Sequence, residues 1–321
     1  MPLLTTSTYH APRLLRPAHF NTVYPAMFRR LPEVRYLRER WETPDGDFLD
    51  LDWARGQNDR LLIAVHGLEG SSQRSYIKGM IRAFGQKGWD GLGFNFRSCS
   101  GELNRCLHSY HMGATADLDW LIRKVLDQRR YRQIALVGFS LGGNVVLKYL
   151  GERGDDLPGE VRSAVTFSVP CHLTSANLEI HSRKNRLYMR RFMDSLNPKL
   201  VAKARRFPDR LQIDRSRQPR NFYEYDEIFT APVHGFANAA EYWDRSSSIH
   251  YLPEIKRPTL LVNALDDTFL SRESYPYDLA RQHRYLFLET PANGGHVGFV
   301  SFNDCRHYWS ERRAVEFVLA S

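Results

Sequence analysis

The sequence predicts an α/β protein with a mostly parallel central sheet, helices on both faces of that sheet and an inserted helical segment. Short apolar runs alternate with stretches of helical periodicity from residue 48 onward. Strands that alternate with helices in this way form parallel sheets covered on both sides. The stretch 172–250 interrupts the alternation with a basic, aromatic-rich sequence of mostly helical pattern.

The predicted strands follow one another along the chain. The first, residues 48–53, alternates apolar and acidic side chains after an Asp-Gly turn, as a half-exposed strand does. Further strands are predicted at 61–67, 89–96, 134–139, 164–169, 259–264 and 285–290. A helix precedes the strand at 134–139, because apolar residues recur there at i, i+3, i+4, i+7 and i+8: Leu118, Leu121, Ile122, Val125 and Leu126.

Length and composition suit one large folded unit with elaborations. The chain has 321 residues, of which 42% are hydrophobic and 25% charged, ordinary values for a globular protein. A chain of this size buries roughly three quarters of its unfolded surface. We therefore expect a core of 41–171 and 251–321, an N-terminal extension of 1–40 packed on it, and an inserted basic helical lid at 172–250.

Cysteine usage and the first residues bear on the compartment. The sequence shows neither a secretion signal nor a run of apolar residues long enough to span a membrane. Four cysteines (Cys99, Cys106, Cys171 and Cys305) show no C-x-x-C pairing, which favours a reducing compartment over a disulfide framework or a zinc site. The expected localisation is cytoplasmic.

The positive charge of the chain is concentrated in one stretch. The formal net charge is +9, and residues 181–220 alone carry thirteen Lys or Arg against three Asp. Such a stretch could steer an anionic substrate, a phospholipid surface or a nucleic acid. It could equally be a solvated helical face. Nucleic-acid binding is not expected, because the sequence contains no known reading module.

A serine stands where the most hydrophobic stretch of the chain meets a helix. Residues 138–142 read Gly-Phe-Ser-Leu-Gly, a G-x-S-x-G pattern between a predicted strand and the helical sequence NVVLKYL. Small residues two before and two after Ser140 let the backbone turn sharply and expose the hydroxyl. The N-terminal amides of the helix point at the same place. Ser140 is therefore the predicted nucleophile.

A serine hydroxyl needs a base to take its proton and a carboxylate to orient that base. In this architecture they follow in the order Ser, Asp, His. His296 lies in the loop GGHVGF after the last predicted strand, where glycines would let its ring approach Ser140. Asp266 and Asp267 follow an earlier strand. We favour Asp266 as the orienting carboxylate because it is the first residue clear of that strand, with Asp267 as a helix-start or supporting carboxylate.

Two backbone amides are expected to stabilise the negative charge on an attacked carbonyl oxygen. One belongs to Leu141, which follows the nucleophile, and the other to Leu68 in HGLEGSS, after an earlier strand. His66 in the same motif is expected to brace the loop by hydrogen bonding. No cofactor and no metal are expected.

Several motifs together resemble one known family. From about residue 19 to 302 the chain resembles the YheT-type branch of the α/β-hydrolase superfamily, also called the AB hydrolase 4 family. The motifs, in the family's order, are HFNTVYP, TPDGDFLDLDW, HGLEGSS, NFRSCSGELNR, YHMGATADL, GFSLGGN, HGFANAAEYW, and LDDTFL through GGHVGF. Two positions depart from the family: Asn21 stands where it usually has Gln, and Ser98 where it usually has Gly.

The resemblance implies an α/β-hydrolase fold and a serine carboxylester hydrolase acting on acyl esters or lipids, with the triad on Ser140, Asp266 and His296. An acyltransferase that uses the same acyl-enzyme is the alternative, as is a ligand-binding protein of this fold with weak activity. The expected partner is a small-molecule or lipid acyl ester, with peripheral contact to anionic surfaces through the basic lid as a further expectation. The oligomeric state is not predicted.

Overall fold

The computed structural model describes residues 3–4, 6–213, 218–303 and 306–321. Cys305, one of the four cysteines predicted to be unpaired, lies outside the described residues, as do Arg215 and Arg217 of the basic stretch. Cys99, Cys106 and Cys171 are free thiols. Among the described residues, no helix has both the length and the apolar composition needed to cross a bilayer.

A nine-stranded sheet forms the centre of the described molecule. Neighbouring strands are parallel except at two contacts near one edge, where the strand Phe48–Ala54 is antiparallel to both of its neighbours, Leu37–Glu42 and Asp90–Phe94. In spatial order the strands are β1 (Leu3–Leu4), β9 (Leu286–Glu289), β8 (Thr259–Val262), β7 (Val161–Phe167), β6 (Gln133–Phe139), β4 (Arg60–Val65), β5 (Asp90–Phe94), β3 (Phe48–Ala54) and β2 (Leu37–Glu42).

Helices cover both faces of this sheet, as predicted. One apolar cluster joins the sheet to the helices Ala116–Asp127, Leu141–Arg153 and Tyr277–Gln282. Another joins the opposite face of the sheet to the helices Ser75–Gly85 and Trp309–Ala320. The helices in chain order are α1 (Ala18–Phe28), α2 (Ser75–Gly85), α3 (Ala116–Asp127), α4 (Leu141–Arg153), α5 (Leu173–Ile180), α6 (Arg186–Arg206), α7 (Phe222–Tyr225), α8 (Ala231–Val233), α9 (Ala239–Ser246), α10 (Tyr277–Gln282) and α11 (Trp309–Ala320).

The edge of the sheet differs from the sequence prediction. Strand β3 was expected to be half exposed, yet its two aspartates, Asp50 and Asp52, are buried. The unpredicted strand β2 lies beside them, and its arginines hold them in bidentate ion pairs, Arg38 with Asp52 and Arg40 with Asp50. A carboxylate can be buried at low cost when such a pair satisfies it.

The segment between β7 and β8 folds into helices α5–α9 with an apolar cluster of its own. Met189 and Met193 of α6 pack there against Tyr225 and Phe229. The segment is tied to the sheet domain by polar contacts, including a bond of 2.7 Å from the Asn185 side chain to the Thr268 carbonyl. That it acts as a lid, and the domain boundaries given above, stay predictions.

One carboxyl group lies inside this helical segment. Asp226 accepts hydrogen bonds from the Thr230 hydroxyl at 2.7 Å and from the Trp243 indole at 2.8 Å. Burial nevertheless raises the pKa of Asp226 to about 6. Because the folded state then holds this proton more tightly than the unfolded state, the contribution of Asp226 to stability is present at low pH and is lost as pH rises through about 6.

The variant Asp226→Asn should remove this pH dependence. An amide can accept from Trp243 and donate to Thr230, and it never carries the buried charge. Relative to the wild type, the variant should therefore gain thermal stability as pH rises from 4 to 7. Melting temperatures of both proteins across this pH range measure the effect. Two parallel curves would contradict it.

Candidate active site

The turn from β6 into α4 places Ser140 in an uncommon backbone conformation. Its φ is +52°, in the left-handed region that residues with a side chain seldom adopt. The flanking glycines make this turn possible, because they have no Cβ and can therefore lie in close contact with other backbone. A Cβ on Gly138 would lie 2.6 Å from the Gly142 carbonyl oxygen, and one on Gly142 would lie 2.5 Å from that of Val65.

The loop after β9 brings an imidazole to this serine. The Ser140 hydroxyl lies 2.8 Å from Nε2 of His296. The loop is held from two sides, because the His296 amide donates to the Thr22 hydroxyl at 2.9 Å and the Val297 amide donates to Ser168 at 2.9 Å. Phe269 stacks on the imidazole at a centroid distance of 4.2 Å. The ring is thus fixed in position by its backbone and by one face.

The carboxylate that contacts His296 is Asp267. Nδ1 of His296 lies 2.9 Å from Oδ2 of Asp267 and 3.2 Å from its Oδ1. The Asp267 carboxylate is fully buried and also accepts the Phe269 amide at 3.0 Å. With Nδ1 donating to this carboxylate, Nε2 is left as the acceptor for the Ser140 proton.

Asp266, the carboxylate favoured from sequence, is not the partner of His296. Its Oδ1 accepts the Gly295 amide at 2.9 Å, and burial raises its pKa. The prediction assumed a strand running to residue 264, whereas β8 ends at Val262. A turn closed by the Asp267 amide and the Ala264 carbonyl follows. This turn directs the second aspartate toward the imidazole. Two adjacent aspartates give no sequence signal that would separate them.

The glycines beside His296 make room for α1 rather than for Ser140. A Cβ on Gly295 would lie 2.6 Å from the Thr22 hydroxyl, and Gly298 lies against Asn21. Asn21 itself is buried and donates to the Leu15 carbonyl at 2.9 Å. The N-terminal segment is therefore part of the wall that holds His296, which the sequence analysis did not predict.

The two residues predicted to supply oxyanion donors lie beside the serine. Leu141 is the first residue of α4. Leu68 follows Gly67, where a Cβ would approach that of Ser140 to 3.1 Å. His66 anchors this loop. Its Nε2 accepts the Phe96 amide at 3.2 Å and its Nδ1 donates to the Gly67 carbonyl at 2.7 Å. Burial lowers the pKa of His66 to about 4, so its ring is neutral at pH 7.

Glu69, in the same loop, was missed by the sequence analysis. Its φ is +53°, and its carboxylate, only 5% exposed, joins three partners. Oε1 accepts from Lys199 of α6 at 2.8 Å and from Tyr110 at 2.7 Å, and Oε2 accepts from Ser195 of α6. Burial acts to raise the pKa of Glu69, but these partners outweigh it and hold that pKa below its ordinary value. The inserted helical segment is thereby tied to the loop that carries Leu68.

Ser140 and His296 open into a cleft of about 440 Å³. Its walls come from α1, from α6 and from the loop of Phe269. A second cavity, of about 70 Å³, lies on the other side of Leu68 and Glu69, beneath α6. The loop residues Leu68 and Glu69 therefore line both the cleft of Ser140 and a smaller cavity.

The departure from the family pattern at Ser98 fits its place. Ser98 has a φ of +64°, a conformation that explains the family's usual glycine. Its hydroxyl donates to the Asn104 side chain at 2.6 Å, so the loop after β5 is held by a bond that glycine could not make.

One group of side chains has the spacing of metal ligands. Oxygens of Asp45 and Asp47 and the sulfur of Cys106 lie within 4.8 Å of one another. Arg97 already bonds both carboxylates, at 2.6 Å to Asp45 and 3.2 Å to Asp47. The guanidinium therefore supplies the positive charge that a metal ion would bring.

Comparison with known proteins identifies the family. A model described as alpha/beta hydrolase fold matches residues 60–302. The chain belongs to the alpha/beta hydrolase family. YheT of Escherichia coli (strain K12) is 36% identical over 290 residues, 88% of this chain and 84% of that protein, which confirms the YheT-type resemblance. Phospholipase ABHD3 of Mus musculus is 27% identical over 92% of this chain and 74% of its own.

Solved structures agree on the fold. A Pyrococcus furiosus esterase, Pf2001, matches with a TM-score of 0.59 and 18% identity, covering 89% of this hydrolase and 90% of that chain. At this low identity, the likeness shows only that the two proteins share the arrangement of sheet and helices.

Covalent labelling of Ser140 with a fluorophosphonate can test whether Asp267, rather than Asp266, orients His296 in this hydrolase. Asp267→Asn should slow labelling by roughly 10⁴-fold, because an amide at this place favours the wrong imidazole tautomer. Asp266→Asn is the matched control and should label near the wild-type rate. The reverse ranking of the two variants would restore the assignment made from sequence.

The ion pair between Lys199 of α6 and Glu69 predicts an effect on kcat. Lys199→Met should lower kcat for a soluble ester by up to about 100-fold with little change in KM, because a loop displaced by ~1 Å misplaces its amides. Lys184→Met is the control, since Lys184 pairs with Glu179 on the surface. A Lys199→Met enzyme with wild-type kcat would show that the pair does not position this loop.

Proposed function

We propose that this chain is a serine carboxylester hydrolase that acts on acyl esters or lipids through Ser140, His296 and Asp267. One observation carries the proposal. A hydrogen-bonded chain runs from the Ser140 hydroxyl through His296 to the buried carboxylate of Asp267, with contacts of 2.8 and 2.9 Å, at the floor of an open cleft. Such a chain is what converts a weakly acidic hydroxyl into a nucleophile at neutral pH.

The first half of the reaction forms an acyl-enzyme. Nε2 of His296 takes the Ser140 proton as the oxygen attacks the ester carbonyl. The buried Asp267 carboxylate stabilises the imidazolium that results. The imidazolium then gives its proton to the departing alcohol, and the acyl group stays on Ser140.

The second half repeats these steps with water. His296 removes a proton from a water molecule that attacks the acyl carbon, the bond from that carbon to Ser140 breaks to release the carboxylic acid, and His296 returns the proton to the Ser140 oxygen. In both halves the carbonyl oxygen becomes negative, and we assign its stabilisation to the amides of Leu68 and Leu141. Each such donor is typically worth about 100- to 1,000-fold in rate.

The lining of the cleft supports an ester with an apolar part. Val23 from α1, Phe192 from α6 and Phe269 line the space beside the serine. Side chains of this kind bind acyl chains by removing apolar surface from water. The phospholipase name of the mouse relative is consistent with a lipid ester, and we extend that class of substrate to this chain as part of the proposal.

Transfer of the acyl group to an alcohol is the second candidate. The cleft is open above Ser140, so an alcohol could reach the acyl-enzyme as water does. Product analysis in the presence of added ethanol measures the partition. An ethyl ester as the main product at low ethanol concentration would favour the acyltransferase over the hydrolase.

Loss of the nucleophile provides the central test. Ser140→Ala should lower kcat on p-nitrophenyl esters by about 10⁴-fold or more, because no other group in the proposed mechanism can form the acyl-enzyme. Ser182→Ala is the matched control, since this serine caps the end of α5 outside the cleft. A panel of increasing acyl length, run with both variants, also defines the preferred chain.

Activity that survives Ser140→Ala undiminished would reject the proposal. A folded wild-type protein that neither turns over any ester of the panel nor reacts with a fluorophosphonate would leave the binding protein as the better description.

A further inference from the structure

Helix α1 carries an exposed apolar stripe. Phe20, Tyr24, Met27 and Phe28 recur at i, i+4, i+7 and i+8, which places them on one face. Phe20, Met27 and Phe28 are 61%, 68% and 61% exposed. The opposite face is the one that packs on the protein, where Pro25 is buried. Large exposed side chains that fall on one stripe mark an interaction surface more often than scattered ones do.

The stripe continues onto neighbouring elements. The ring of Tyr24 lies 5.8 Å from that of the exposed Phe302. On α6, Leu187 is 73% exposed, and its neighbour Tyr188 stacks on His19 of α1 at 5.7 Å. We call these six residues the apolar rim: Phe20, Tyr24, Met27, Phe28, Leu187 and Phe302.

The two helices that carry most of the apolar rim also line the Ser140 cleft. Helix α1 contributes Thr22 and Pro25 to the wall of that cleft, and α6 contributes Tyr188 and Arg191. The same two helices therefore present apolar side chains outward and line the path to the serine inward.

The charge around the rim is predominantly positive. Exposed basic residues flank α1 and the start of α6: Arg13, Arg16, Arg30, Arg183, Lys184, Arg186, Arg190 and Arg191. Within the described ranges, no carboxylate lies within ion-pair distance of Arg13, Arg16, Arg183 or Arg186, and the pair of Arg190 with Asp194 is 3.9 Å long. The occupant that suits this surface is apolar in its interior and negative at its face.

We propose that the apolar rim docks on an anionic phospholipid surface, with the flanking arginines on the lipid headgroups. Apolar side chains bordered by Arg and Lys bind the boundary between headgroups and acyl chains. A second copy of this chain is a poorer occupant, because it would bring the arginines of both copies together. Docking does not depend on catalysis, whereas delivery of a lipid ester to Ser140 rests on the proposed function.

Vesicle flotation of the full chain tests the proposal. Vesicles of phosphatidylcholine with phosphatidylglycerol should bind the protein, those of phosphatidylcholine alone should bind it at least about tenfold more weakly, and high salt should release it. The variant Phe20→Ser/Met27→Ser/Phe28→Ser should bind the anionic vesicles at least about tenfold more weakly than the wild type. Circular dichroism establishes that each variant is folded.

Further variants separate charge, apolar surface and catalysis. Arg183→Ser/Arg186→Ser/Arg190→Ser should also lose about tenfold or more of the binding to anionic vesicles. Leu37→Ser/Leu319→Ser is the control, because both side chains are exposed and lie outside the cleft lining; it should bind like the wild type. Ser140→Ala should bind normally, so that a failure of the proposed reaction is distinguishable from a failure of docking.

Three results would overturn the proposal. The wild type could fail to float with anionic vesicles, or the variant with three serines on α1 could float as well as the wild type. The wild type could also be a dimer that this variant dissociates, with no binding to vesicles, in which case the rim is an interface between two copies.

Discussion

The site depends first on a backbone constraint at Ser140. A φ of +52° is unfavourable for any residue with a Cβ, so the surroundings must hold the turn. They do so by close packing of backbone on backbone, with Gly142 pressed against the end of β4 and Gly138 against the first turn of α4. Side chains at either glycine would push strand and helix apart. The same contact that strains the serine also lifts its hydroxyl out of the sheet, to where His296 can reach it.

The groups around the serine are held from separate parts of the chain. Asp267 comes from the turn after β8, His296 from the loop after β9, and the Thr22 hydroxyl that receives the His296 amide from α1. Glu69 ties the loop of Leu68 to α6. Each group is fixed by at least one bond to an element other than its own, which is how a site keeps its geometry without a rigid loop.

The sequence predicted the elements that follow from hydrophobic periodicity. It did not predict features that depend on contacts between distant side chains. The parallel strands β4 to β9 and the serine turn follow from apolar runs and glycine spacing, whereas the two-residue strand β1 was not predicted. Strand β2 was not predicted because its residues are mostly charged. Its arginines pair with Asp50 and Asp52, and these ion pairs allow the two aspartates of β3 to be buried. The choice between Asp266 and Asp267 depends on where β8 ends. A shift of two residues there changes which carboxylate faces the imidazole, and sequence periodicity does not resolve strand ends that finely.

Helix α1 links the interior of the site to its surroundings. On its inner side Thr22 and Asn21 hold the loop of His296, and on its outer side Phe20, Met27 and Phe28 face solvent. One helix therefore bears both the side chains that hold the loop of His296 and those that face solvent. Partial insertion of the stripe into a lipid surface would remove these apolar side chains from water, which is favourable, and would thereby hold α1 in place. The N-terminal segment is then not an accessory to the sheet domain, because it holds the loop that positions His296.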